Sequence, residues 1–405
     1  MRQLSRIILF VLFPAIVHAG ISDNPFLGIK SAGMGGSITS LGMDGSAAFN
    51  NPATMTFLKK NYINAAINFS SPNSVFLMNT GDKYNSLKSN LLPISLYGVY
   101  KFTDKVDLGL AVNNPFQNKI AWDENWAGKY ICTANQSNVL NIQPTISYRV
   151  NDKFSVGGGL MVTRYNQKTS KSLNYESAAG DVMVDYNLNA IAMGLNLGVN
   201  YNYQKWHLGL SARTGLTYKA KGDATLKNVP VSLVSNGVLP ASSSNCTSTV
   251  KLPAVISLGA GYELDENWLI TMDVNIYNWT NIDSLKIKVE NFQQCDFNVK
   301  QDVSSSYAIR FGARYLYSKK VVFRGGFAFD LSPVLDTYVN PAFPDYNRIS
   351  YTTGTSYQLN KQFSFDAFIG FTNIKERKET KNVNNFNGTY KSNALIGGIG
   401  LNYEF

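Results

Sequence analysis

Apolar and polar residues alternate along most of this chain with a period of two residues. The pattern is clearest from Leu140 to Val150 and from Ile191 to Tyr203, and it returns at the end of the chain, from Leu395 to Phe405. Strict alternation predicts β-strands with one apolar face. Runs of about 10 residues are long enough to cross a hydrocarbon layer as tilted strands. We therefore expect the apolar face to meet lipid and the polar, small-residue face to line a lumen.

Connections between the predicted strands alternate between short and long. Short polar turns are predicted around 103–105, 151–152, 204–205, 265–266, 318–319 and 360–361. Long segments are predicted at about 71–90, 118–137, 167–187, 220–248, 281–303, 332–345 and 375–390. Six turns and seven loops join fourteen strands, and an even strand number with short turns at one end is typical of outer-membrane barrels. The sequence predicts an all-β fold, a transmembrane antiparallel β-barrel of about 14 strands over residues 61–405.

The N-terminal residues 1–19 have the pattern of a secretory signal peptide. Arg2 and Arg6 precede an apolar run from Ile7 to Val17, and Val17-His18-Ala19 is a small-residue cleavage site. The apolar run is shorter than the roughly 20 residues that a membrane-spanning helix needs. Together with the terminal aromatic Phe405, which is the usual sorting mark of bacterial outer-membrane barrels, this predicts cleavage near Ala19 and a location in the outer membrane of a Gram-negative bacterium.

Residues 20–60 lack the strand pattern and are rich in glycine and other small residues. Asn51 is placed to cap a short helix, with Pro52 at its first position, where the missing N–H costs nothing. Ala53 completes this Asn-Pro-Ala turn, and the alternative is that the triplet only starts the first strand. We expect the segment to form an N-terminal hatch, a plug in the lumen that this turn holds against the wall.

Composition and charge limit the classes of function. Aromatic residues make up 13% of the chain and charged residues 16%, with a formal net charge of +10. Lysines of the predicted loops favour lipopolysaccharide as a partner over nucleic acid, although a solvated surface without a partner explains them equally well. The sequence offers no metal-ligand cluster, no cofactor motif and no catalytic constellation, so we expect neither an enzyme nor a bound metal or cofactor. Cys132, Cys246 and Cys295 lie in predicted outer loops; three pairings are possible, and Cys246 with Cys295 is favoured as a disulfide.

Several motifs occur in an order that resembles the FadL/TodX family of outer-membrane transporters for long-chain fatty acids and aromatic hydrocarbons. They are Ser31 to Gly36, Asp44 to Ala53, Pro115-Phe116, Trp126 to Tyr130, Pro144, Asn151 to Gly157, Leu252-Pro253, Trp268 with Asp273 and Trp279, and Arg324 to Phe327 with Asp330 and Ser332-Pro333. One departure is Gln117, where the family commonly has glycine. The resemblance implies a plugged fourteen-stranded barrel in which a hydrophobic ligand is captured by an outer apolar groove. It also implies a pocket that touches the hatch and a sideways exit where the third strand kinks.

The residues of the third predicted strand fit this mechanism. Pro115, between Asn114 and Phe116, cannot donate a ladder hydrogen bond, and a proline inside a strand indicates an edge or a bulge. The alternative is that Pro115 only ends the strand. Pro144 on the adjacent strand is a second interruption that is predicted to face the same gap.

Two groups of residues are candidates for the ligand site. The segment 229–240 is unusually apolar for a surface loop and carries Val231, Leu233, Val234 and Leu239, although it could instead fold onto its neighbours. A second, aromatic group follows the third strand, namely Phe116, Trp122, Trp126 and Tyr130. The lumen-facing arginines are candidates for binding a carboxylate, namely Arg149, Arg310, Arg314 and Arg324.

The predicted function is passive uptake of hydrophobic molecules, long-chain fatty acids or similar lipophiles. The predicted partners are the hydrophobic ligand, the lipid and lipopolysaccharide of the outer membrane and the barrel-assembly machinery, with the protein itself a monomer. Two alternatives use the same barrel. One is a general diffusion porin, and the other is a surface adhesin or antigen that is presented by the long loops.

Overall fold

The computed structural model describes residues 26–177, 180–279, 284–300, 302–334 and 336–405. The predicted signal peptide, residues 1–19, and its cleavage site therefore lie outside the described residues. Among the residues described, no helix is both long enough and apolar enough to cross a membrane.

Strands make up most of the described chain. Their bounds are β1 (Tyr62–Met78), β2 (Lys83–Asn85), β3 (Ile94–Lys101), β4 (Val106–Ala121), β5 (Ala134–Arg149), β6 (Phe154–Ser177), β7 (Gly180–Tyr203), β8 (Trp206–Arg213), β9 (Leu216–Lys227), β10 (Ser243–Leu252), β11 (Ala254–Glu263), β12 (Trp268–Asn278), β13 (Ser284–Val289), β14 (Phe297–Lys300), β15 (Ser306–Leu316), β16 (Val321–Asp330), β17 (Arg348–Gln358), β18 (Phe363–Glu379) and β19 (Gly388–Glu404). The helices are α1 (Ile29–Gly33), α2 (Ala47–Asn50) and α3 (Val231–Ser235), with 3-10 turns at Pro52–Phe57, Gln293–Cys295 and Asp336–Tyr338.

The strands pair antiparallel and close into a barrel. β1 and β19 form the closing seam, which runs from Tyr62 opposite Glu404 to Met78 opposite Gly388. Four spans of the barrel consist of two successive strands each, namely β8 with β9, β10 with β11, β12 with β13 and β14 with β15. The short strand β2 pairs with the end of β1. When each of these four pairs is counted as one span and β2 is left out, the nineteen described strands form fourteen spans. The predicted 14-stranded antiparallel barrel is confirmed.

Around the middle of the barrel, apolar side chains point outward and polar or small ones inward, as the alternation predicted. On β7, Ile191, Met193, Leu195 and Leu197 are exposed on the outer face. Their neighbours along the strand include the buried Asn196, which points into the lumen. The exposed apolar band is the surface expected to meet lipid, because lipid replaces water on that face.

Beyond this band, towards the end of the barrel with the long connections, the alternation is inverted. On β7 the inward residues are now apolar and fully buried, for example Val184, Tyr186 and Leu188, and the outward ones are polar, such as Asn187 and Asn189. The predicted loop at 167–187 is therefore wrong, because β6 and β7 continue through it to Ser177 and Gly180. The physical reason is that this part of the wall has water outside and an apolar interior. It consequently alternates in the opposite phase.

The N-terminal residues fill the lumen. The described part of this segment is residues 26–60, and it is almost entirely buried up to Leu58. α1 lies against β16, β17 and β18, and the 3-10 turn Pro52–Phe57 packs against β5, β6 and β7. We call residues 26–58 the hatch. It packs against the inner face of the wall on several sides, between the outer part of the barrel and the end that carries the short turns.

Candidate functional site

The last turn of the hatch is fixed by Asn51, which is completely buried. Its Nδ2 donates hydrogen bonds to the carbonyl oxygens of Thr39 (2.7 Å) and of Val199 on β7 (3.1 Å). Its Oδ1 accepts from the backbone N–H of Ala53 at 3.2 Å, with Pro52 at the first helical position. Asn51 therefore caps this turn and also ties it to the barrel wall. The predicted cap is present, and its role as a gate stays a prediction.

Two glycines of the wall allow this turn to approach the strands. A Cβ atom added at Gly157 of β6 would lie 2.6 Å from the carbonyl carbon of Pro52 and 2.7 Å from the Ala53 nitrogen. A Cβ atom at Gly198 of β7 would overlap Asn51 Oδ1 and would lie 3.0 Å from the Ala53 nitrogen. The close packing of the hatch turn thus depends on wall positions without a side chain.

Three of the four lumen arginines that were predicted to bind a carboxylate already form polar contacts within the protein. Arg310 forms an ion pair of 2.6 Å with Asp330 and donates to the Gly35 carbonyl at 3.4 Å. Arg149 donates to the carbonyl oxygen of Thr56, and Arg324 donates to Ser356 Oγ at 2.7 Å. None of these arginines lines the cavity described below.

The wall is interrupted where β4 carries Asn114 and Pro115. The pairing of β3 with β4 ends at Asn113, and the register of β4 against β5 shifts between Asn113 and Phe116. Backbone pairing with the preceding segment is next recorded at Ala121, whose carbonyl accepts from the Leu87 N–H at 2.7 Å. Within this described region, residues 114–120 of β4 therefore form no ladder with the segment 88–93. The sequence predicted an interruption at this position.

Pro144 lies away from this interruption. It is in β5, opposite Leu110 of β4, and its side chain is on the outer face. The unpaired edge of β4 is the one that faces β3 and β1. The prediction that Pro144 faces the same opening is therefore wrong, because Pro144 is in β5 and β4 lies between it and the unpaired edge.

A cavity of about 200 Å³ lies directly inside the interrupted wall. Phe26 of the hatch contributes to it, as do β1, the segment 117–120 of β4 and the loop 343–345. Its apolar lining includes Phe26, Phe69, Ile120, Phe343, Phe368, Ala394 and Ile396. The volume is below the ~300–1,000 Å³ of a pocket for a drug-sized molecule. The cavity consequently fits a small lipophile, or one part of a longer chain that continues into the opening.

The cavity has a polar edge that the sequence did not reveal. Lys119, Asp345 and Arg348 all line it. Burial raises the pKa of the Asp345 carboxyl, and the positive charge of Arg348 partly opposes this shift. Asp345 Oδ1 accepts from the Tyr346 N–H at 2.8 Å, whereas its enclosed Oδ2 has no hydrogen-bond partner among the described residues. The sequence places Arg348 only at the start of a strand after a predicted loop, and nothing in it marks this residue as part of a cavity.

The aromatic group predicted after the third strand does not form a single site. Trp122 and Trp126 are buried and stacked, with ring centroids 4.5 Å apart, and their indole N–H groups donate to the carbonyls of Pro341 and Cys132. Phe116 is buried in a different apolar cluster. Tyr130 is 42% exposed. The two tryptophans pack next to Ile120, which lines the cavity, so they support its wall.

The apolar loop forms α3 at the outer end of the barrel. Val231 is 82% exposed, whereas Leu239 is buried at 1%. Leu233 and Val234 are half-buried, and Leu233 packs against the large apolar cluster of the outer part of the barrel. The loop is therefore partly folded onto its neighbours and partly open to water.

The predicted disulfide between Cys246 and Cys295 is wrong. Cys132, Cys246 and Cys295 are all buried free thiols. Cys246 is held in the sheet opposite Gly222 and Val289, whereas Cys295 ends a 3-10 turn. No group of His, Cys, Asp and Glu within the described ranges is arranged to hold a metal ion.

Comparison with known proteins agrees with this architecture. Residues 28–405 match the model of the family described as outer membrane protein transport protein (OMPP1/FadL/TodX). The chain is 23% identical to the long-chain fatty acid transport protein of Escherichia coli K12, over 96% of this chain and 94% of that protein. It is also 23% identical to outer membrane protein P1 of Haemophilus influenzae, over 77% of this chain and 74% of that protein.

Two solved structures have the same fold. A Pseudomonas aeruginosa FadL homologue superposes with a TM-score of 0.83 at 18% identity, covering 95% of this chain and all of that one. The Pseudomonas putida toluene transporter TodX superposes with a TM-score of 0.72 at 15% identity, covering 92% and 97%. The family match over almost the whole described chain, together with this barrel, establishes that the chain belongs to the OMPP1/FadL/TodX family of outer-membrane transport proteins.

Proposed function

We propose that the protein takes up hydrophobic molecules passively across the outer membrane, with long-chain fatty acids or similar lipophiles as the substrates. The observation that carries the proposal is the position of the cavity. It lies between Phe26 of the hatch and the unpaired part of β4, where the wall ladder is interrupted. A cavity at this position is in contact with both the gate and the opening.

The proposed route has three stages. The exposed side of α3, with Val231 at its start, forms part of an apolar groove that captures the ligand from water. The ligand then enters the cavity, whose aromatic and aliphatic walls accommodate an alkyl chain or a ring. It leaves sideways between residues 114–120 of β4 and residues 88–93, and enters the lipid.

The polar edge of the cavity orients the ligand. Arg348 and Lys119 supply positive charge for a carboxylate, and the rest of the lining is largely apolar. Asp345 beside them weakens binding of an anion at the same place. A ligand with an anionic or hydrogen-bonding head and an apolar tail thus fits this edge better than a polar solute.

The hatch opens the route in this proposal. The turn at Asn51, Pro52 and Ala53 is tied to β7 by one hydrogen bond, from Asn51 Nδ2 to the Val199 carbonyl. The other hydrogen bonds of the Asn51 side chain stay within the hatch. Side chains of the wall also donate hydrogen bonds to other hatch carbonyls, through Ser155, Asn196 and Arg149. These side-chain contacts are not part of the backbone ladder of the wall, so a local shift of the hatch does not require the barrel to unfold. No energy source is needed, since the ligand moves down its own concentration gradient.

Filling the cavity tests the proposal. Ala394 lines the cavity from β19, and Ala394→Phe is expected to reduce uptake of a labelled long-chain fatty acid at least fivefold in cells. Ala367→Phe on β18 is the matched control, because Ala367 lies on the same lipid-facing side of the strand as Phe365 and Ile369. Normal uptake by an assembled Ala394→Phe variant would refute the assigned route.

Two measurements separate this function from the alternatives. A general porin gives large, steady ohmic currents in planar bilayers, whereas a barrel filled by its hatch is expected to give small or intermittent ones. In a deletion strain, loss of fatty-acid uptake supports transport. Unchanged uptake with loss of attachment to host cells would instead support an adhesin.

A further inference from the structure

The outer part of the barrel wall carries a compact group of lysines that face away from the lumen. Lys219 and Lys221 lie on β9, and Lys286 and Lys288 lie on β13; all four are exposed. β10 runs between these two strands. Thr247 of β10 pairs with Lys221 on one side and with Lys288 on the other. We call these four lysines, with Thr247 and Thr249, the basic face.

The sheet geometry sets the spacing of the basic face. Neighbouring strands are about 4.8 Å apart, and every second residue along a strand is about 6.6 Å from the last. Lys221 and Lys288 are two strands apart, so their Cα atoms are separated by roughly 10 Å. The four lysine side chains therefore surround an area of about 7 by 10 Å that contains threonine hydroxyls.

These lysines lack the acidic partners that some other exposed lysines of the barrel wall have. Lys227 on β9 pairs with Asp185 at 2.7 Å, and Lys391 on β19 pairs with Glu376 at 2.7 Å. No ion pair or hydrogen bond of the four side chains of the basic face is recorded among the described residues. Like charges in one patch repel each other, so an anionic partner would stabilise it.

The acidic residues of the same surface lie farther from the membrane than the four lysines. Asp223 follows Lys221 on β9, and Glu290 follows Lys288 beyond β13, so both lie in the next row outward. Asn245 of that row donates to Glu290 Oε2 at 2.9 Å. Positive charge is therefore concentrated in the rows nearer the membrane, and negative charge lies farther out.

The basic face directly adjoins the lipid-facing band. Asn189 of β7 pairs with Lys221, and Ile191 and Met193, the next residues of β7 on the same outer face towards the membrane, are exposed. A molecule bound here would meet cationic groups at one level and an apolar surface immediately below. That combination matches a lipid with a phosphorylated head and acyl chains, and a free phosphate would use only half of it.

We propose that the basic face is a binding site for lipopolysaccharide, the phosphorylated glycolipid of the outer leaflet. The lysine ammonium groups bind the phosphates of the lipid, because lysine acts as a compact point charge for phosphate. Thr247 and Thr249 donate hydrogen bonds between them. The acyl chains lie along the exposed residues of β7, beginning at Ile191 and Met193. The site thereby fixes one lipid against the wall formed by β9, β10 and β13.

Two variants with the same change in charge test the site. The first removes the four charges of the basic face, by Lys219→Gln, Lys221→Gln, Lys286→Gln and Lys288→Gln. The second removes four exposed charges at the short-turn end, by Lys105→Gln, Lys319→Gln, Lys320→Gln and Lys361→Gln. Both are purified free of lipopolysaccharide in detergent, and assembly is checked by heat-modifiable migration. A double variant, Lys221→Gln with Lys288→Gln, replaces the first if the quadruple variant fails to assemble.

Binding is measured by titration with purified lipopolysaccharide in the presence of EDTA. The wild type and the short-turn variant are expected to bind equally, and the basic-face variant at least tenfold more weakly. Removal of the lipid phosphates should weaken binding to the wild type by a similar factor, and added salt should weaken it progressively. Equal binding by the two quadruple variants would overturn the proposal. So would equal affinity of the wild type for phosphatidylglycerol vesicles.

Discussion

A single methyl group at Gly198 should loosen the hatch without harming the barrel. Gly198 lies on β7 directly beneath the turn that Asn51 caps. In Gly198→Ala the new Cβ atom would overlap Asn51 Oδ1 and approach the Ala53 nitrogen to 3.0 Å and Pro52 Cδ to 3.1 Å. Because several of these atoms belong to the rigid Asn-Pro-Ala turn, the turn itself has to move away from the wall.

The size of the effect follows from these contacts. Overpacking of this kind typically costs about 1–3 kcal/mol. Movement of Asn51 also weakens its hydrogen bonds to Thr39 and Val199, each of which contributes about 1 kcal/mol. A local destabilisation of about 1.4–3 kcal/mol corresponds to a tenfold to roughly 150-fold larger population of the displaced hatch. The closing seam of β1 and β19 is untouched.

Hydrogen exchange measured by mass spectrometry gives this population directly. Amides of residues 47–57 in Gly198→Ala should exchange ten to about 150 times faster than in the wild type, while the strands keep their protection. Gly325→Ala on β16 is the control, because a Cβ atom there meets nothing within 4 Å. If residues 47–57 exchange equally fast in the two variants, the wall does not hold the hatch in the way described.

Three further predictions concern the cavity, the interruption and the thiols. Asp345→Asn should bind a fatty-acid anion roughly tenfold more tightly at pH 7, an effect of about 1.4 kcal/mol. A competition assay with a fluorescent fatty acid measures this difference in affinity. The difference should vanish at acidic pH, where the wild-type carboxyl with its raised pKa is already neutral. Pro115→Gly restores a backbone N–H at the interruption and should slow uptake at least twofold, whereas Pro144→Gly, on the other side of β4, should leave it unchanged. Burial raises the pKa of Cys295 to about 11 and of Cys246 to about 12, so maleimide labelling at pH 8 should be slow in the folded protein and complete after unfolding without reductant. Labelling that still requires a reductant would indicate a disulfide.

The barrel was predictable because its central band follows a simple rule. Residues such as Leu195 and Asn196 alternate between lipid and lumen, and short polar turns separate the runs. The same rule failed for the outer part of the wall. At Val184 to Leu188 the apolar residues face inward, so the lipid-facing pattern predicted a loop where the outer parts of two long strands lie.

The candidate site was less predictable than the fold. The interruption at Pro115 could be found, because proline has a definite effect on a strand. Trp122 and Trp126 were expected to meet a ligand, but their indole N–H groups are already satisfied within the protein. Arg348 was missed because only tertiary structure brings a strand start, the loop 343–345 and the hatch to one cavity.

The inverted alternation means that the outer face of the barrel meets lipid in one part and water in the other. Below the inversion, polar or charged substitutions on the outer face are harmful, since that face lies in lipid. Above the inversion, the sheet resembles a water-soluble β-barrel with an apolar core, to which Tyr186 and Leu188 contribute. A detergent that replaces the bilayer therefore protects the lower part, but the same detergent can dissolve into the upper part. The choice of detergent should consequently change how much of the outer wall remains folded during purification.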